Sequence, residues 1–489
     1  MKYILGIDFG GGASKATLLS ADGKIVATNT VEYPTSYPAP GYAEQNPIDW
    51  YNATRTNISA VLEKSGVSPS DLTAVALDAA THTAVLCDKD FNVLCPSIYW
   101  TDSRSTEEVA NLKREWGDFI YQRVLHKPDT IWTLPQLMWV KKHQPELWAK
   151  VDRIMFAKDF VRHMLTGDYV TDYIEAEGSM MFDYTRLEWS PELCGLLEFP
   201  ISKLPRVVKP TDFVVGITAE AARDTGLIEG TPVICGTTDT VMEVFAAGAV
   251  RKGQMTLKLA TAGRICVITD KAYPDKNLIN YSHIADGLWY PGTATKACAS
   301  SLRWYRDTFG GNYREIDEAA AQIAIGSEGL VFHPYINGEL TPYADPKLCA
   351  SFIGVRANHT KAHFDRAVLE GVAMSMLDCK KALEAIGVEH DDTATIIGGG
   401  ASSPLWRQIV ADALGFRLVQ NRNSDSSFGT AMLAGVASGV FTDFEAALKI
   451  CTEVKSFTEP NPDNAGAYEK LYRRYKAVHD ALAPIYDAQ

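Results

Sequence analysis

An aspartate, Asp239, lies in the segment GTTDTVMEVFAAGAV, between a short apolar run and a stretch of small residues. The run Pro232 to Cys235 predicts a buried strand, and the residues after Asp239 predict a helix. Many α/β proteins present a carboxylate to a ligand at such a junction. The position also suits an ordinary helix N-cap, because an Asp side chain accepts hydrogen bonds from the first amides of a helix. From this segment alone, a catalytic role and a capping role are both open.

A second aspartate, Asp8, precedes three consecutive glycines. The run Tyr3 to Asp8 predicts a buried strand, and two further strands follow the glycines as a meander. Gly10, Gly11 and Gly12 would let backbone amides approach a phosphate closely. Asp8 could hold a divalent cation through water. A Gly-rich connection between strands is also common where no ligand binds.

Two further polar residues follow predicted strands in the first half of the chain. His82 lies just after the strand that ends at Asp78, where a histidine is often a structural hydrogen-bonding residue. Asp102 follows Trp100, and the two could line a polyol pocket, since an aromatic ring packs on C–H groups and a carboxylate accepts hydroxyl protons. Asp102 could equally cap the helix that is predicted to begin at Ser105.

The pattern of the first strands recurs about 250 positions later. Met255 to Leu259 predicts a strand, Ala260 to Gly263 a turn of small residues, and Ile265 to Thr269 a second strand. This recurrence predicts two similarly built halves around a shared cleft. A second phosphate loop is therefore expected at the later turn.

A third glycine segment follows the run Thr395 to Ile397, which predicts a buried strand. The glycines Gly398 to Gly400 come next, and a helix is predicted from Leu405. Strand, glycines and helix form a nucleotide-binding arrangement, in which the helix N-terminus attracts a phosphate. Many α/β turns contain glycine without binding a nucleotide.

The bulk properties narrow the function classes. A formal net charge of -13 without a basic run argues against nucleic-acid binding, because phosphate contacts require clustered Lys and Arg. The nine cysteines show no CxxC pair and no spacing of metal ligands, which favours a reducing cytoplasm. No secretory signal core and no apolar run of membrane-spanning length is present in the sequence. We therefore expect a cytoplasmic protein of two large domains.

Together, six ordered motifs give a specific match. They are DFGGGASK, YWTDSRS, KDFVRHMLTGDYVTD, GTTDT, NGELTPYADP and IIGGGASSPLWRQIVADALG. With these motifs the sequence resembles the FGGY carbohydrate kinases of the actin/Hsp70/sugar-kinase superfamily, most closely their xylulokinase-like branch. The resemblance implies an α/β fold of two ribonuclease H-like (actin-like ATPase) domains, residues 1–247 and 248–489. Each is expected to have a mixed five-stranded sheet flanked by helices, with an interdomain cleft.

The resemblance also implies a role for each matching residue. Asp239 aligns with the catalytic aspartate, which contacts the sugar and deprotonates the hydroxyl that attacks the γ-phosphorus of ATP, and Asp8 aligns with the aspartate near Mg²⁺. A small sugar and ATP are thus the expected ligands, and a homodimer is a further suggestion of the family. The other implied positions are the sugar contacts Thr81, His82, Asp102 and Thr240, the first phosphate loop Gly10, Gly11, Gly12, Ser14 and Lys15, the second phosphate loop Thr261 and Gly263, and the adenosine segment Gly399, Gly400 and Ala401.

The first phosphate loop departs from the family pattern. Family members usually have Thr, then Ser or Thr, where this chain has Gly11 and Gly12, so two hydroxyl groups are missing. Either Ser14 or Lys15 compensates for them, or a low activity is expected. The loss is also compatible with a non-catalytic, nucleotide-binding regulator of the same superfamily, although the retained Asp239 favours a kinase.

The sugar side departs as well. Xylulokinases usually have Gln-Met-His-Gly where this chain has Ala80-Thr81-His82-Thr83, and Asn where it has Thr240. D-xylulose, phosphorylated to D-xylulose 5-phosphate, is the best single prediction. Ribulose, L-xylulose, gluconate, a tetrulose or another ketose, polyol or aldonate are the alternatives.

Overall fold

Strands and helices alternate along the chain in the computed structural model, which describes residues 2–487. The strands are β1 (Tyr3–Phe9), β2 (Ala13–Ser20), β3 (Ile25–Glu32), β4 (Glu44–Gln45), β5 (Leu72–Ala79), β6 (Ala84–Cys87), β7 (Ser97–Ile98), β8 (Arg153–Phe156), β9 (Val170–Asp172), β10 (Phe182–Asp183), β11 (Glu188–Trp189), β12 (Arg206–Val208), β13 (Phe213–Gly216), β14 (Pro232–Ile234), β15 (Thr237–Thr238), β16 (Met255–Leu259), β17 (Gly263–Val267), β18 (Gly292–Thr295), β19 (Val331–His333), β20 (Ser351–Ile353), β21 (Thr393–Ile397), β22 (Arg417–Asn421) and β23 (Val454–Thr458). The helices are α1 (Pro47–Ser65), α2 (Thr106–Val124), α3 (Thr133–His143), α4 (Pro145–Trp148), α5 (Ala157–Thr166), α6 (Tyr173–Gly178), α7 (Pro191–Leu196), α8 (Ala219–Thr225), α9 (Asp239–Ala246), α10 (Ala299–Phe309), α11 (Tyr313–Ala320), α12 (Lys361–Ala385), α13 (Pro404–Leu414), α14 (Ser426–Ala437), α15 (Phe444–Cys451) and α16 (Ala465–Asp487). This order confirms the predicted α/β class.

The chain forms two compact units. The first contains the residues up to Gly248 together with Tyr281–Asp286 and Asn423–Thr452. The second contains Ala249–Asn280, Gly287–Arg422 and the residues from Glu453 onward. The sequence predicted a single division between residues 247 and 248, whereas two later segments pack with the first unit.

In the first unit, the strands of the main sheet lie in the order β13-β14-β5-β1-β2-β3, and β15 also pairs with β5. Strand β1 is antiparallel to β2 and parallel to β5, with Asp8 opposite Asp78. Alternate residues of β1 face different helices. Leu5 and Ile7 lie in the same buried cluster as residues of α1, whereas Gly6 lies against α14, where an added Cβ would overlap the backbone at Ser427. This close approach explains why the segment around α14 belongs to the first unit.

In the second unit, the sheet order is β18-β17-β16-β21-β22-β23. Strand β16 is antiparallel to β17 and parallel to β21, which repeats the pattern of the first sheet. The predicted internal recurrence is therefore confirmed at the level of topology. The sheets nevertheless have seven and six strands rather than the five predicted, because the first gains the antiparallel edge strand β13 and the short β15, and the second gains the antiparallel edge strand β23. These edges alternate between exposed and partly buried residues and carry no continuous apolar signal.

Two local features lie near the predicted site segments. Helix α1 is capped by Gly66, whose left-handed φ of 65° is one that glycine adopts readily. In the apolar run from Cys95 to Trp100, which precedes Asp102, only Ser97–Ile98 is a strand, and it pairs with the two-residue β4. Within residues 2–487, no helix is both long enough and apolar enough to cross a membrane, and all nine cysteines are free.

Candidate functional site

Asp239 is the first residue of α9 and is partly exposed. The N-cap is Thr238, the last residue of β15, and its side chain makes no capping hydrogen bond. Thr240 Oγ1 donates a hydrogen bond of 3.2 Å to Asp239 Oδ1. The capping position thus belongs to Thr238, and the carboxylate of Asp239 lies at the positive end of the helix dipole.

A group of carboxylates lies at the ends of the central strands. Asp8 and Asp78 are opposite each other on β1 and β5, and Asp78, which is fully buried, accepts a hydrogen bond from Thr430. Although Asp8 retains some exposure, its pKa is raised to about 6, mainly by burial and also by the negative charges of Glu243 and Asp425, while hydrogen bonds with Asp78 and Ser426 oppose the rise. Burial and the neighbouring Asp8 raise the pKa of Asp78 well above its usual range. These oxygen ligands suit a hard divalent cation such as Mg²⁺, which would relieve their repulsion.

The first hairpin turn carries the glycines. The turn is closed by the Gly10 amide, which donates to the Ala13 carbonyl at 3.0 Å. Two side chains hold it from behind, since Tyr33 Oη donates to the Gly10 carbonyl at 2.6 Å and Gln45 Nε2 to the Gly11 carbonyl at 2.8 Å. Gly11 and Gly12 are exposed, so the tip presents backbone rather than side chains.

The two residues expected to compensate for the missing hydroxyl groups behave differently. Ser14 is fully buried, and Asn57 Nδ2 donates to both its carbonyl and its hydroxyl oxygen at 3.0 Å. Its hydroxyl group is therefore buried and faces Asn57. The Lys15 ammonium is partly exposed and lies 3.0 Å from Asp425 Oδ2. This pair places a cation beside the carboxylates around Asp8.

His82 lies in a strained turn, with a φ of 77° that non-glycine residues rarely adopt. Its amide donates to Glu175 Oε1 at 2.8 Å, and its carbonyl accepts from Thr133 Oγ1 at 2.6 Å. The ring Nε2 lies 2.9 Å from Tyr281 Oη. Burial lowers the pKa of His82 well below its usual range, so the imidazole is neutral. These contacts give His82 a structural role, while the neighbouring Thr81 is partly exposed.

Asp102 is almost fully buried and serves as an anchor for a loop. It accepts a hydrogen bond of 2.6 Å from the Ala43 amide and forms a 2.8 Å ion pair with Arg104, whose guanidinium stacks on Tyr42. The residue that precedes α2 is Ser105, so Asp102 does not cap that helix. The anchored loop, residues 37–43, lines a surface cavity of about 640 Å³ together with Thr101.

In the second unit, the turn between β16 and β17 presents Thr261. Its side chain is exposed, and its carbonyl accepts a 2.8 Å hydrogen bond from Ser300 Oγ at the start of α10. Gly263 is buried and leaves no room for a side chain. An added Cβ would lie 2.6 Å from Met376 Sδ and 2.7 Å from Thr295 Cγ2. The hydrogen bond from Ser300 and the packing of Gly263 thus hold the turn, while Thr261 at its tip is exposed.

The later glycines form a 3₁₀ turn rather than leading directly into a helix. Gly399 and Gly400 lie in the turn Gly399–Ser402, and α13 begins after Ser403, whose side chain accepts from the Trp406 amide at 3.0 Å. The buried Ala401 is held through its carbonyl by Arg407. Ser403 therefore caps the N-terminus of α13, where the sequence suggested that a phosphate binds. Gly399 is exposed.

Several residues of this arrangement were missed in the sequence. Asp78 stands in an apolar run that reads as a plain buried strand, yet an ionisable residue in such a run is itself a signal. Asp425 caps α14 through the Phe428 amide, and only the fold shows that it lies near Asp8. Glu175, which holds the His82 turn, carried no signal in its local sequence.

Comparisons with known proteins give matches over the whole described fold. Residues 3–246 match the model of the N-terminal domain of the FGGY family of carbohydrate kinases, and residues 233–438 match the model of its C-terminal domain. The chain is 32% identical over 485 residues to the xylulose kinase of Bacillus subtilis, with 98% of this chain and 97% of that one covered. Among solved structures it is similar to the xylulose kinase of Rhodospirillum rubrum (TM-score 0.93, 28% identity, 99% and 100% of the two chains). The gluconate kinase of Lactobacillus acidophilus is equally similar in fold (TM-score 0.93, 26% identity, 100% and 99%).

Proposed function

The chain belongs to the FGGY family of carbohydrate kinases, and from this premise we propose that it transfers the γ-phosphoryl group of ATP to D-xylulose, forming D-xylulose 5-phosphate. The observation that carries the proposal is Asp239, a partly exposed carboxylate at the start of α9. It lies in the same unit as the glycine hairpin and the carboxylates around Asp8.

In the proposed reaction, Asp239 accepts the proton of the reacting sugar hydroxyl. The sugar oxygen forms a bond to the γ-phosphorus, and the bond between that phosphorus and the bridging oxygen of ADP breaks. Because the transition state of phosphoryl transfer is loose, most of the rate comes from positioning and from neutralisation of charge. A carboxylate that orients the hydroxyl and finally takes its proton is sufficient as the base.

On the nucleotide side, the proposed contacts are mainly backbone groups of the glycine turns. The turn Gly10–Gly12 would bind phosphate oxygens through the amides of the exposed Gly11 and Gly12, while Gly10 closes the turn, with Lys15 nearby as a cation and Ser14 contributing only backbone. Thr261 and Gly263 would form the second phosphate loop, and Gly399, Gly400 and Ala401 the adenosine segment. Asp8 would hold Mg²⁺, which supplies positive charge to the phosphate oxygens when it is bound.

The sugar side is proposed to include Thr81, His82, Asp102 and Thr240. Thr81 and Thr240 are partly exposed and can offer hydroxyl groups, whereas His82 and Asp102 are buried and would act mainly by shaping the turn and the loop. Gluconate is the second candidate, because the chain resembles a gluconate kinase structure as closely in fold as a xylulose kinase. A non-catalytic regulator is the alternative from another class.

A panel assay tests these candidates. ADP release is coupled to a dehydrogenase readout with D-xylulose, L-xylulose, ribulose, gluconate, a tetrulose and a polyol as acceptors, each with ATP and Mg²⁺. We expect the highest kcat/KM with D-xylulose. A higher value with gluconate would replace the substrate, and no turnover on any acceptor would favour the regulator. A cytoplasmic location and a homodimer stay predictions, and sedimentation velocity would test the dimer.

A further inference from the structure

We propose that Asp172 is a positioning residue that connects the strand end carrying the base Asp239 to the turn carrying His82. This inference rests on the proposed function, because it assigns a role to the neighbours of the proposed base and of the proposed sugar turn. All residues involved belong to the first unit. Neither Asp172 nor the residues that link it to Asp239 and His82 have a role in the reaction above.

Asp172 ends β9 and is fully buried, and its two carboxylate oxygens have different partners. Oδ1 accepts a hydrogen bond of 2.8 Å from Thr237 Oγ1 and caps α6 through the amides of Ile174 and Glu175 at 3.0 and 3.2 Å. Oδ2 lies 2.9 Å from the fully buried Lys158 ammonium. One oxygen atom thus joins a strand to a helix, while the other faces the ammonium of Lys158, which also pairs with Asp159.

On the side of the base, Thr237 is the direct link. It is fully buried, stands two residues before Asp239 and lies opposite Asp78 in the pairing of β15 with β5. Arg162 Nη1 also donates a hydrogen bond of 2.7 Å to the carbonyl of Cys235, two residues earlier. The start of α9 is therefore held by a hydroxyl group and a guanidinium, and not by packing alone.

On the side of the sugar turn, helix α6 is the link. Glu175 accepts the amide hydrogen of His82 at 2.8 Å, and Gly178 packs so closely against the imidazole that an added Cβ would overlap it. Because a φ of 77° is unfavourable for histidine, the turn needs these contacts to persist. The cap from Asp172 fixes the helix that provides both contacts.

Burying the charges of Lys158 and Asp172 is costly unless their hydrogen bonds are satisfied. A cheaper apolar pair would fill the same volume, but it would leave Thr237 and the start of α6 without an acceptor. The arrangement therefore predicts that the acceptor oxygen, and not the charge, is what the reaction needs.

The first test removes the link to the base. Thr237→Val deletes the hydroxyl group with little change in volume, and Thr237→Ser retains it. The control is Thr171→Val, because Thr171 is equally buried, adjoins Asp172, and its Oγ1 has no hydrogen-bond partner among residues 2–487. We expect Thr237→Val to lower kcat about tenfold with little change in the KM for sugar, since misplacement of a catalytic group acts on the reacting geometry. Thr237→Ser and Thr171→Val should remain near the wild type.

The second test removes the link to the sugar turn. Glu175→Gln keeps an oxygen that accepts from the His82 amide, whereas Glu175→Leu does not. We expect Glu175→Leu to raise the KM for sugar about tenfold, with a smaller effect on kcat. Glu175→Gln should remain near the wild type. This division between kcat and KM is not expected if the contacts only stabilise the fold.

The third test addresses Asp172 itself. Lys158→Met combined with Asp172→Asn removes both charges and keeps an acceptor oxygen, while Lys158→Met combined with Asp172→Leu removes the acceptor as well. We expect the first double variant to retain most activity and the second to lower kcat and raise KM together.

The outcomes separate the inference from the proposed function. Wild type without turnover on any acceptor contradicts the proposed function. An active wild type with Thr237→Val equal to Thr171→Val, or with both double variants equal per folded molecule, overturns the positioning role. Folded protein is counted by its cooperative melting transition, so a variant that only loses stability also counts against the inference.

Discussion

The two units share a sheet order but differ at the turn where each first hairpin closes. In the first unit, Asp8 is opposite Lys15 across the hairpin and opposite Asp78 on the parallel neighbour, and the turn is made of three glycines. In the second unit, the equivalent position is Lys258, which lies opposite Arg264, and the turn presents Thr261. The first hairpin therefore has carboxylates as well as a lysine beside its turn, whereas the second has two basic residues. A repeated fold can thus combine one phosphate-binding turn with carboxylates for a cation and the other with basic residues alone.

Within this comparison, the largest expected effect comes from neutralising one charged residue in each hairpin. Asp8→Asn should lower kcat about a hundredfold or more, because a group that organises charge at the transferring phosphate is lost. Lys258→Met should act mainly on the KM for ATP. Initial rates over a matrix of ATP and sugar concentrations measure both. A change in the KM for ATP alone in Asp8→Asn would contradict the different roles expected for Asp8 and Lys258.

A second prediction compares the glycines of the two turns. Gly263→Ala should lower the free energy of unfolding by about 2 kcal/mol, because the new methyl group overlaps Met376 and Thr295. Gly12→Ala should change it by less than about 0.5 kcal/mol, since no heavy atom lies within 4 Å of the added Cβ. Urea denaturation of both variants measures the difference. Equal destabilisation would show that the second turn is not packed as described.

The carboxyl group of Asp8 should also make the free energy of unfolding depend on pH. The pKa of Asp8 is raised to about 6 in the folded chain, above its ordinary value near 4, so the folded state binds the proton more tightly than the unfolded state. The stability from this group is therefore present below pH 4 and is lost as the pH rises through 6. Without added cation, the free energy of unfolding of the wild type should fall more steeply than that of Asp8→Asn over this range. Parallel curves for the two proteins would contradict the assignment.

The smallest effect tests the missing hydroxyl groups. Gly12→Ser places a hydroxyl group at the exposed tip, where the structure leaves room, and makes the first turn more like the second. We expect the KM for ATP to fall about threefold, the value of one ordinary hydrogen bond. Gly12→Ala, which adds only the methyl group, is the matched control. An increase of KM in both variants would mean that the phosphate needs the space itself.

Much of this comparison could be predicted from the sequence. Glycine turns between apolar runs predicted both hairpins, because turn residues and strand periodicity are local signals. The repeat at about 250 positions predicted the shared topology. The closeness of Asp78 and Asp425 to Asp8 could not be predicted, since they become its neighbours only through the parallel pairing of β5 and the packing of α14.

The directions in which some side chains point could not be predicted from the sequence either. Ser14 was expected to face a phosphate, but the alternation of β2 turns its hydroxyl group towards Asn57. Asp102, which stays a predicted sugar-side residue, also anchors a loop through the Ala43 amide, because the two-residue β7 brings the chain back against β4. Such partners are distant in sequence and leave no local pattern.

The central claim is that Asp239 is the base of the reaction, and one variant tests it most directly. Asp239→Asn removes the proton acceptor with almost no change in shape, and its kcat and its affinity for ATP are measured on the same preparation. We predict that kcat falls about a thousandfold, the usual contribution of a general base, while the Kd for ATP stays within about twofold. Phosphorylation of the sugar at the wild-type rate would contradict the account.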